Sequence, residues 1–323
     1  MHAIQIDGAA LRWGETDRPQ LGAGEIRIQV HASAANRADL AQRAGSYPPP
    51  PGASPILGLE CAGEVTELGE GVTRFSVGDA VCALLAGGGY AEEVVVAAGQ
   101  ALPVPRGLSM VEAAAVPEVF ATAYLNLFME AELRRGERAL LHAGASGVGT
   151  AAIQLCKAFD NPCYVTVGSQ NKLDACLALG AAGGWLRSEG SFVDPVTQWS
   201  EGQGVDAVLD PVGGAYLEDN LKVLRQDGRL VVIGLMGGAR TEINLGLMMI
   251  KRLRLIGSTL RARSVPAKAA VMDALYDEVW PLIENGQIRP IVDRVFPIAE
   301  ASAAHEAMAA DENVGKLVLK VRE

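Results

Sequence analysis

Residues 140–155 read LLHAGASGVGTAAIQL. A short apolar run, RALLHA (138–143), enters the glycine turn Gly144-x-x-Gly147-x-Gly149, and a second apolar segment leaves it. In that second segment, GVGTAAIQLCKAFD (147–160), Val148, Ala151, Ala152, Leu155, Cys156 and Phe159 recur at helical spacing on one face. Strand, glycine turn, helix is the opening of a βαβ unit, and in that setting a glycine pattern acquires a mechanism. Glycines permit a tight turn and let main-chain N–H groups approach a pyrophosphate, whose charge then meets the positive end of the following helix. Gly144, Ser146, Gly147, Val148 and Gly149 are therefore candidate phosphate-binding residues, Ser146 adding a hydroxyl. The alternative is a glycine turn that serves only close helix–strand packing.

Downstream the alternation continues. Strand PCYVTVG (162–168), helix NKLDACLALG (171–180), helix FVDPVTQWS (192–200), strand VDAVLDPVG (205–213), helix AYLEDNLKVLRQDG (215–228) and strand RLVVIGLMGG (229–238) come in turn. Strands alternating with helices imply right-handed crossovers and a doubly wound parallel sheet, hence an α/β fold. Upstream the reading is different. EIRIQVHAS (25–33) alternates Ile26, Ile28 and Val30 with Arg27, Gln29 and His31, as a half-buried strand does, and CAGEVTELG (61–69), GDAVCALL (78–85) and YAEEVVVAA (90–98) are further short strands between glycine-rich turns. Between them AGSYPPPPGASPILG (44–58) carries four consecutive prolines, a stiff exposed connection. After LRLIGSTL (253–260) a long helix is expected near 265–285, and the strands IVDRVFPI and GKLVLKV return the chain to the first domain.

The residues just beyond the second strand identify the dinucleotide. An NAD site carries an acid about 20 residues beyond the turn, on the ribose 2′-hydroxyl. Here that region is VTVGSQNKLD, with no acid before Asp174; Gly168 and Ser169 end the strand, Ser169, Gln170 and Asn171 offer donors at a helix start, and Lys172 adds a positive charge. This suits a 2′-phosphate, so NADPH is the expected cofactor, against the alternative of a solvated lysine behind an ordinary N-cap serine.

Composition bounds the rest. The 323 residues are 49% hydrophobic and 20% charged, enough for about two domains with sizeable cores. Twenty-eight basic against 38 acidic residues give a net charge of −10, which disfavours nucleic acid or an anionic membrane as the main partner. The five cysteines form no CxxC pair and read as buried thiols in a reducing compartment. The opening MHAIQIDGAALRWGE lacks a basic stretch before an apolar core, and no apolar run reaches the ~18 residues of a membrane span, so a cytoplasmic protein is expected.

The stretches ANRADLAQRAGSYPPPPG (35–52), ILGLECAGEV (56–65), LLAGGGYAEEVVV (84–96), AAAVPEVFATAY (113–124), HAGASGVGTAAIQL (142–155), GLMGG (234–238) and GKLVL (315–319) together resemble the zeta-crystallin-type quinone oxidoreductases of the medium-chain dehydrogenase/reductase superfamily. The resemblance covers nearly the whole chain. It implies a strand-rich GroES-like domain over 1–118 and 286–323, and a dinucleotide-binding Rossmann domain over 119–285. It implies an NADPH-dependent quinone reductase, with reduction of an alkenal or enone double bond as the alternative, or a cofactor-binding, crystallin-like or RNA-associated protein of low turnover. Zinc enzymes of the superfamily carry a Cys in the stretch matching 35–39 and a His in a Gly-His-Glu triplet; here Asn36 and Leu59 stand at those places and the four-cysteine lobe is missing, so no metal is expected.

The resemblance also places individual residues. Asn36 lies beside the nicotinamide, either offering amide hydrogen bonds to an acceptor oxygen or serving as a turn former. Tyr47, tethered by the prolines, is either a stacking surface with a hydrogen-bonding hydroxyl or an aromatic covering the loop. Thr122 falls near the nicotinamide, or is a helix-buried threonine. Gly234, Leu235 and Met236 pass the nicotinamide end, Leu260 and Arg261 close over it unless the arginine is merely solvated, and Lys316 comes near the cofactor phosphates. Where the family has Asn-Tyr against the 2′-phosphate, Trp185-Leu186 stands here, with Arg187 next in line to compensate. KRLRLIGSTL (251–260) reads as an edge strand, through which family members pair into a homodimer.

Overall fold

The structure is a computed structural model describing residues 1–8 and 10–322; Glu323, the last residue of the expected first domain, and Ala9 lie outside the described residues. A hairpin comes first, β1 (His2–Asp7) antiparallel to β2 (Ala10–Glu15). β3 (Glu25–Ala34) is next, then α1 (Arg37–Arg43), β4 (Glu60–Leu68), β5 (Ala80–Leu84), β6 (Glu93–Ala97), β7 (Ala101–Pro103), α2 (Met110–Ala113) and α3 (Pro117–Tyr124). The alternation in β3 predicts Arg27 on a solvent face, but Arg27 is buried. Both β4 and β6 pair with this part of β3, and the Arg27 guanidinium is held between Glu67 at 3.0 Å and Glu93 at 3.5 Å while donating to the Pro19 carbonyl. The methyl-rich partners Ile26, Ile28 and Val30 are fully buried with Cys61, Val65 and Val81 in one core.

The dinucleotide unit runs β8 (Ala139–His142), α4 (Gly147–Ala158), β9 (Cys163–Val167), α5 (Gln170–Leu179), β10 (Gly183–Leu186), α6 (Val193–Trp199), β11 (Val205–Asp210), α7 (Leu217–Val223), β12 (Leu224–Val232), α8 (Leu245–Ile250) and β13 (Arg254–Gly257). All pairings in its sheet are parallel, in the order β10-β9-β8-β11-β12-β13. The chain steps outward from β8 to β10, then returns to the other side of β8, which makes the carboxyl end of β8 the topological switch point. The glycine turn therefore sits where such sheets bind nucleotides. Two local expectations are corrected. α4 is buried almost all round, from Gly149 to Cys156, rather than on one apolar face. The helix expected to reach residue 228 stops at Val223, because Leu224 turns extended and the backbone reverses through Asp227 at φ 63° into the sheet.

The return is α9 (Val265–Glu278), α10 (Trp280–Glu284), β14 (Val292–Pro297), α11 (Ala301–Ala309) and β15 (Lys316–Lys320). Pro281 in its first turn starts α10 as a helix separate from α9. Among the described residues the second large sheet is ordered β14-β15-β3-β4-β5-β7, with β6 also on β3. The chain divides into Met1–Ala121 with Leu260–Glu323, and Thr122–Thr259. This corrects the expected return at 286. α9 and α10 belong to the first unit, where Trp280 Nε1 donates to the Pro103 carbonyl at 2.8 Å and Arg74 meets Asp273 at 2.7 Å. Amphipathic helices carry no label for the domain they pack on, so the sequence pattern alone assigned them to their neighbours.

Candidate active site

The glycine turn in the second unit is built for close approach. A Cβ on Gly149 would lie 2.4 Å from the Gly144 carbonyl oxygen, and one on Gly144 would lie 2.6 Å from the Val165 side chain. Ala143 takes φ 52°, a left-handed value that L residues adopt at a cost. The Ser146 hydroxyl oxygen accepts from Gly149 N–H as the N-cap, so its proton remains available to a ligand. The N–H groups of Gly147 and Val148 open the helix, where no carbonyl one turn back can take them. Backbone donors, a hydroxyl and a twelve-residue helix thus converge on a cradle that fits a pyrophosphate, and a side chain on Gly149 would press into its wall.

At the end of β9, Ser169 caps α5 and Gly168 lies beneath the Arg187 guanidinium, whose Nη2 would be 3.0 Å from a Cβ there. Lys172 is buried, and four residues on, one turn along the same face, Cys176 lies against Gly144. Lys172 is therefore not the solvated lysine of the alternative reading. Its charge acts on the Cys176 thiol, which burial nevertheless pushes up to about 12. Asp174, the first acid after the strand, has its carboxylate held by the Gln170 amide at 2.7 Å. After β12, Gly234 packs on the Pro211 carbonyl, and Leu235 and Met236 stay more than half exposed. Thr122 is half-buried, its carbonyl accepting from the Asn126 amide. A buried chain underlies the cradle: His142 Nδ1 meets the Thr166 hydroxyl at 2.9 Å, His142 Nε2 meets Asn220 Oδ1 at 2.7 Å, and Asn220 donates to Asp210 at 3.0 Å. Asp210 in turn accepts from Val212 and Gly213 N–H and so shapes the next loop. Burial lowers His142 to about 4, so it is neutral, and since Asn220 presents its oxygen, Nε2 carries the proton.

In the first unit the candidate residues form a second cluster. Asn36 caps α1 and is nearly buried. Its amide nitrogen donates to the Ala34 carbonyl at 3.2 Å and to Glu60 Oε1 at 3.0 Å, and its oxygen accepts from Lys316 Nζ at 2.7 Å. Both amide hydrogens are taken by protein, so the structure corrects the expected role of Asn36 as a free donor to an acceptor. Lys316 is corrected as well. Its ammonium is 3% exposed and its three donors go to the Ala35 carbonyl at 2.7 Å, to Asn36, and to Glu60 at 2.8 Å, leaving none for a phosphate. Glu60 Oε2 accepts from the Glu118 backbone N–H at 2.9 Å, tying β4 to the start of α3.

Asp39 is the residue that sequence reasoning passed over in this segment. Its carboxylate accepts from Asn36 N–H at 2.8 Å, Gly58 N–H at 3.0 Å and the Tyr90 hydroxyl at 3.2 Å, and burial raises it to about 6. The Asn36-x-x-Asp39 spacing at a helix start was the available signal. Behind it Tyr90 meets His305 Nε2 at 3.1 Å, and burial lowers His305 to about 4. Arg261 is not a solvated charge. It is 3% exposed, donating to the Ala86 carbonyl at 2.8 Å, Gln42 Oε1 at 2.6 Å and the Tyr47 carbonyl at 3.4 Å, and its guanidinium lies 5.3 Å over the Tyr47 ring. The arginine, together with the prolines, fixes a half-buried Tyr47, and Leu260 beside it is buried.

This donor set does not fit zinc. The Asn36 amide is locked to Lys316 and Glu60, Leu59 is a buried hydrocarbon, and among the described residues no group of three or more His, Cys, Asp or Glu is placed to hold an ion.

Residues 22–106 match the family described as alcohol dehydrogenase GroES-like domain, and residues 186–319 the one described as zinc-binding dehydrogenase. The synaptic vesicle membrane protein VAT-1 homolog of Rattus norvegicus is 30% identical over 316 residues, covering 93% of this chain and 78% of that protein. The chain belongs to the medium-chain dehydrogenase/reductase family. Within it, the chain lies in the zeta-crystallin-like group. The solved Escherichia coli quinone oxidoreductase complexed with NADPH superposes with a TM-score of 0.87 at 29% identity, covering 99% of each chain. A mycocerosic acid synthase-like polyketide synthase of Mycobacterium tuberculosis is 34% identical over 318 residues, 98% of this chain. The chain spans only 15% of that relative's length. The chain thus has a GroES-like unit and a Rossmann unit, as its family does. No helix among its described residues is long and apolar enough to cross a membrane.

Proposed function

We propose that this chain is an NADPH-dependent, zinc-independent reductase of quinones. The observation that carries the reading is the charge content at the end of β9: the Arg187 guanidinium covers Gly168, Lys172 follows in α5, and no free acid comes before Asp174. A 2′-phosphate matches two cations, whereas an acid would select the 2′-hydroxyl of NADH. Gly144, Ser146, Gly147, Val148 and Gly149 would hold the pyrophosphate, Gly168 and Ser169 the ribose end, and Thr122, Gly234, Leu235 and Met236 the nicotinamide end. NADPH, when bound, supplies a hydride. Within the first unit by itself, the Arg261 guanidinium lies over the Tyr47 ring, a flat surface that suits a planar, electron-poor molecule. The 29% identity to an NADPH-complexed quinone oxidoreductase supports the same acceptor class.

A second reading, reduction of a carbonyl-conjugated alkene, is favoured by the 34% identity to a segment of polyketide synthases. Measuring NADPH consumption with ortho-quinones, para-quinones and alkenals separates the two. Tight NADPH binding without turnover of any acceptor would instead favour a binding protein of low turnover. The chain is read as a homodimer in the cytoplasm. β13 pairs with β12 on one side and ends the sheet order, and the neighbouring α8 exposes Leu245, Met249 and Ile250 at 66%, 77% and 74%. An unpaired edge beside an apolar helix suits a second copy of this chain. Sedimentation at micromolar concentration tests it, a monomer being the result that sinks it.

A further inference from the structure

At the free edge of its sheet the second unit carries a cleft of about 520 Å³, within the size range of small-molecule sites. β10 is the last strand on that side and pairs only with β9. Gly183 lies opposite Tyr164 and Trp185 opposite Thr166. Residues two apart in a strand share a face, so the Tyr164 and Trp185 side chains rise on the same side, beside the bare backbone of Gly183. A Cβ on Gly183 would lie 2.5 Å from the Tyr164 ring, so that position admits no side chain. α6 adds Trp199, whose ring centroid is 4.8 Å from that of Tyr164 with the planes inclined at 41° instead of stacked flat. Trp185 Nε1 donates to the Gly190 carbonyl at 3.2 Å, which spends the only donor of its indole. All three rings line the cleft, together with Asp194 and Gln198, four residues apart on α6 and both exposed. Among the described residues the Asp194 carboxylate has no hydrogen-bond or ion-pair partner.

Rings attract a cation through their electron-rich faces, and a carboxylate beside them supplies the counter-charge. A primary ammonium is strongly hydrated, and aromatic walls with one carboxylate replace its water poorly. An alkylated ammonium has no N–H group to satisfy, and its methyl groups pack on the rings. The net charge of −10 favours the approach of any cation. We propose that this cleft binds a quaternary ammonium head group, held by Tyr164, Trp185 and Trp199 and neutralised by Asp194. The site is distinct from the glycine cradle. Tyr164 is the second residue of β9, whereas the nucleotide residues follow the carboxyl end of that strand; Gly168 is four residues on, about 13 Å along an extended chain. The reductase reading neither requires this site nor depends on it.

Calorimetric titration of the full chain with choline and with 3,3-dimethylbutan-1-ol, its uncharged carbon isostere, tests the proposal. Choline should bind at least about tenfold more tightly than the alcohol and should change the tryptophan fluorescence. W199A should weaken choline about tenfold, and D194N about threefold with a smaller dependence on salt. D194N alters one exposed side chain and leaves the core untouched, so it serves even where W199A fails to fold. NADPH affinity should stay within about twofold when choline is saturating, as two separate sites require. Equal affinity for choline and the alcohol, or no choline binding up to about 10 mM, would overturn the proposal. Unchanged choline affinity in D194N, or competition between choline and NADPH, would overturn it as well.

Discussion

Lys316→Met separates the two roles available to this lysine. The side chain is 3% exposed, its partner Glu60 is fully buried, and its ammonium makes contacts of 2.7, 2.7 and 2.8 Å. Methionine keeps most of the volume, so the loss is chiefly electrostatic: the Glu60 carboxylate would keep the Asn36 amide and the Glu118 N–H but lose its counter-charge. Removing one partner of a buried ion pair costs about 3–5 kcal/mol. For a domain of this size that corresponds to a fall of roughly 6–20 °C in the melting midpoint. Urea denaturation of the full chain measures it, and the double variant E60Q/K316M should recover about 2 kcal/mol or more, because no uncompensated charge is left. NADPH affinity should stay within about twofold, since no donor of Lys316 is free for a phosphate. A loss below about 1 kcal/mol, or a double variant no better than the single one, would refute the electrostatic argument. A tenfold weaker NADPH affinity would return Lys316 to the cofactor.

The same geometry fixes other outcomes. K172E and R187E should each weaken NADPH by about tenfold or more while changing NADH much less, each charge-assisted contact to phosphate being worth about 1.5–3 kcal/mol; equal losses for both nucleotides in isothermal titration would contradict the 2′-phosphate assignment. G149A should depress nucleotide binding and the melting midpoint together, because its Cβ meets backbone oxygen at 2.4 Å and overpacking of this kind costs about 1–3 kcal/mol; a native-like variant would show that the turn yields. M249E should leave the fold and NADPH binding intact while converting a dimer to a monomer in sedimentation. Stability carries a further signature. Glu118 has a folded pKa of about 8 against an ordinary value near 4.5, so the folded state binds the extra proton between these values and loses stability as pH rises through that window. E118Q should therefore be more stable than the native chain above pH 8, and by less at pH 5, when urea midpoints are compared.

Much of this protein was legible in its sequence because the signals are local. Gly144, Ser146 and Gly149 announce a tight strand-to-helix turn through residue type and spacing, and the strand–helix alternation that flanks them dictates a parallel sheet with its switch point at β8. The missing acid between Gly168 and Asp174 depends on chain distance alone. The first-unit chemistry is another matter. Asn36, Glu60, Glu118, Asp39 and Lys316 come from α1, β4, α3 and the last strand, and nothing in their spacing says that Lys316 spends its ammonium on Asn36 and Glu60. Arg27 and Arg261 look like surface charges in any linear reading, and become buried struts only because strands and loops close over them. Likewise α9 and α10 carry apolar faces that fit either unit, and packing on β7 decided for the first. What the sequence alone determined is where the backbone can turn and how its strands and helices alternate. Only the tertiary structure decided which polar groups satisfy one another, because burial sets the cost of an unpaired group and burial belongs to the whole fold.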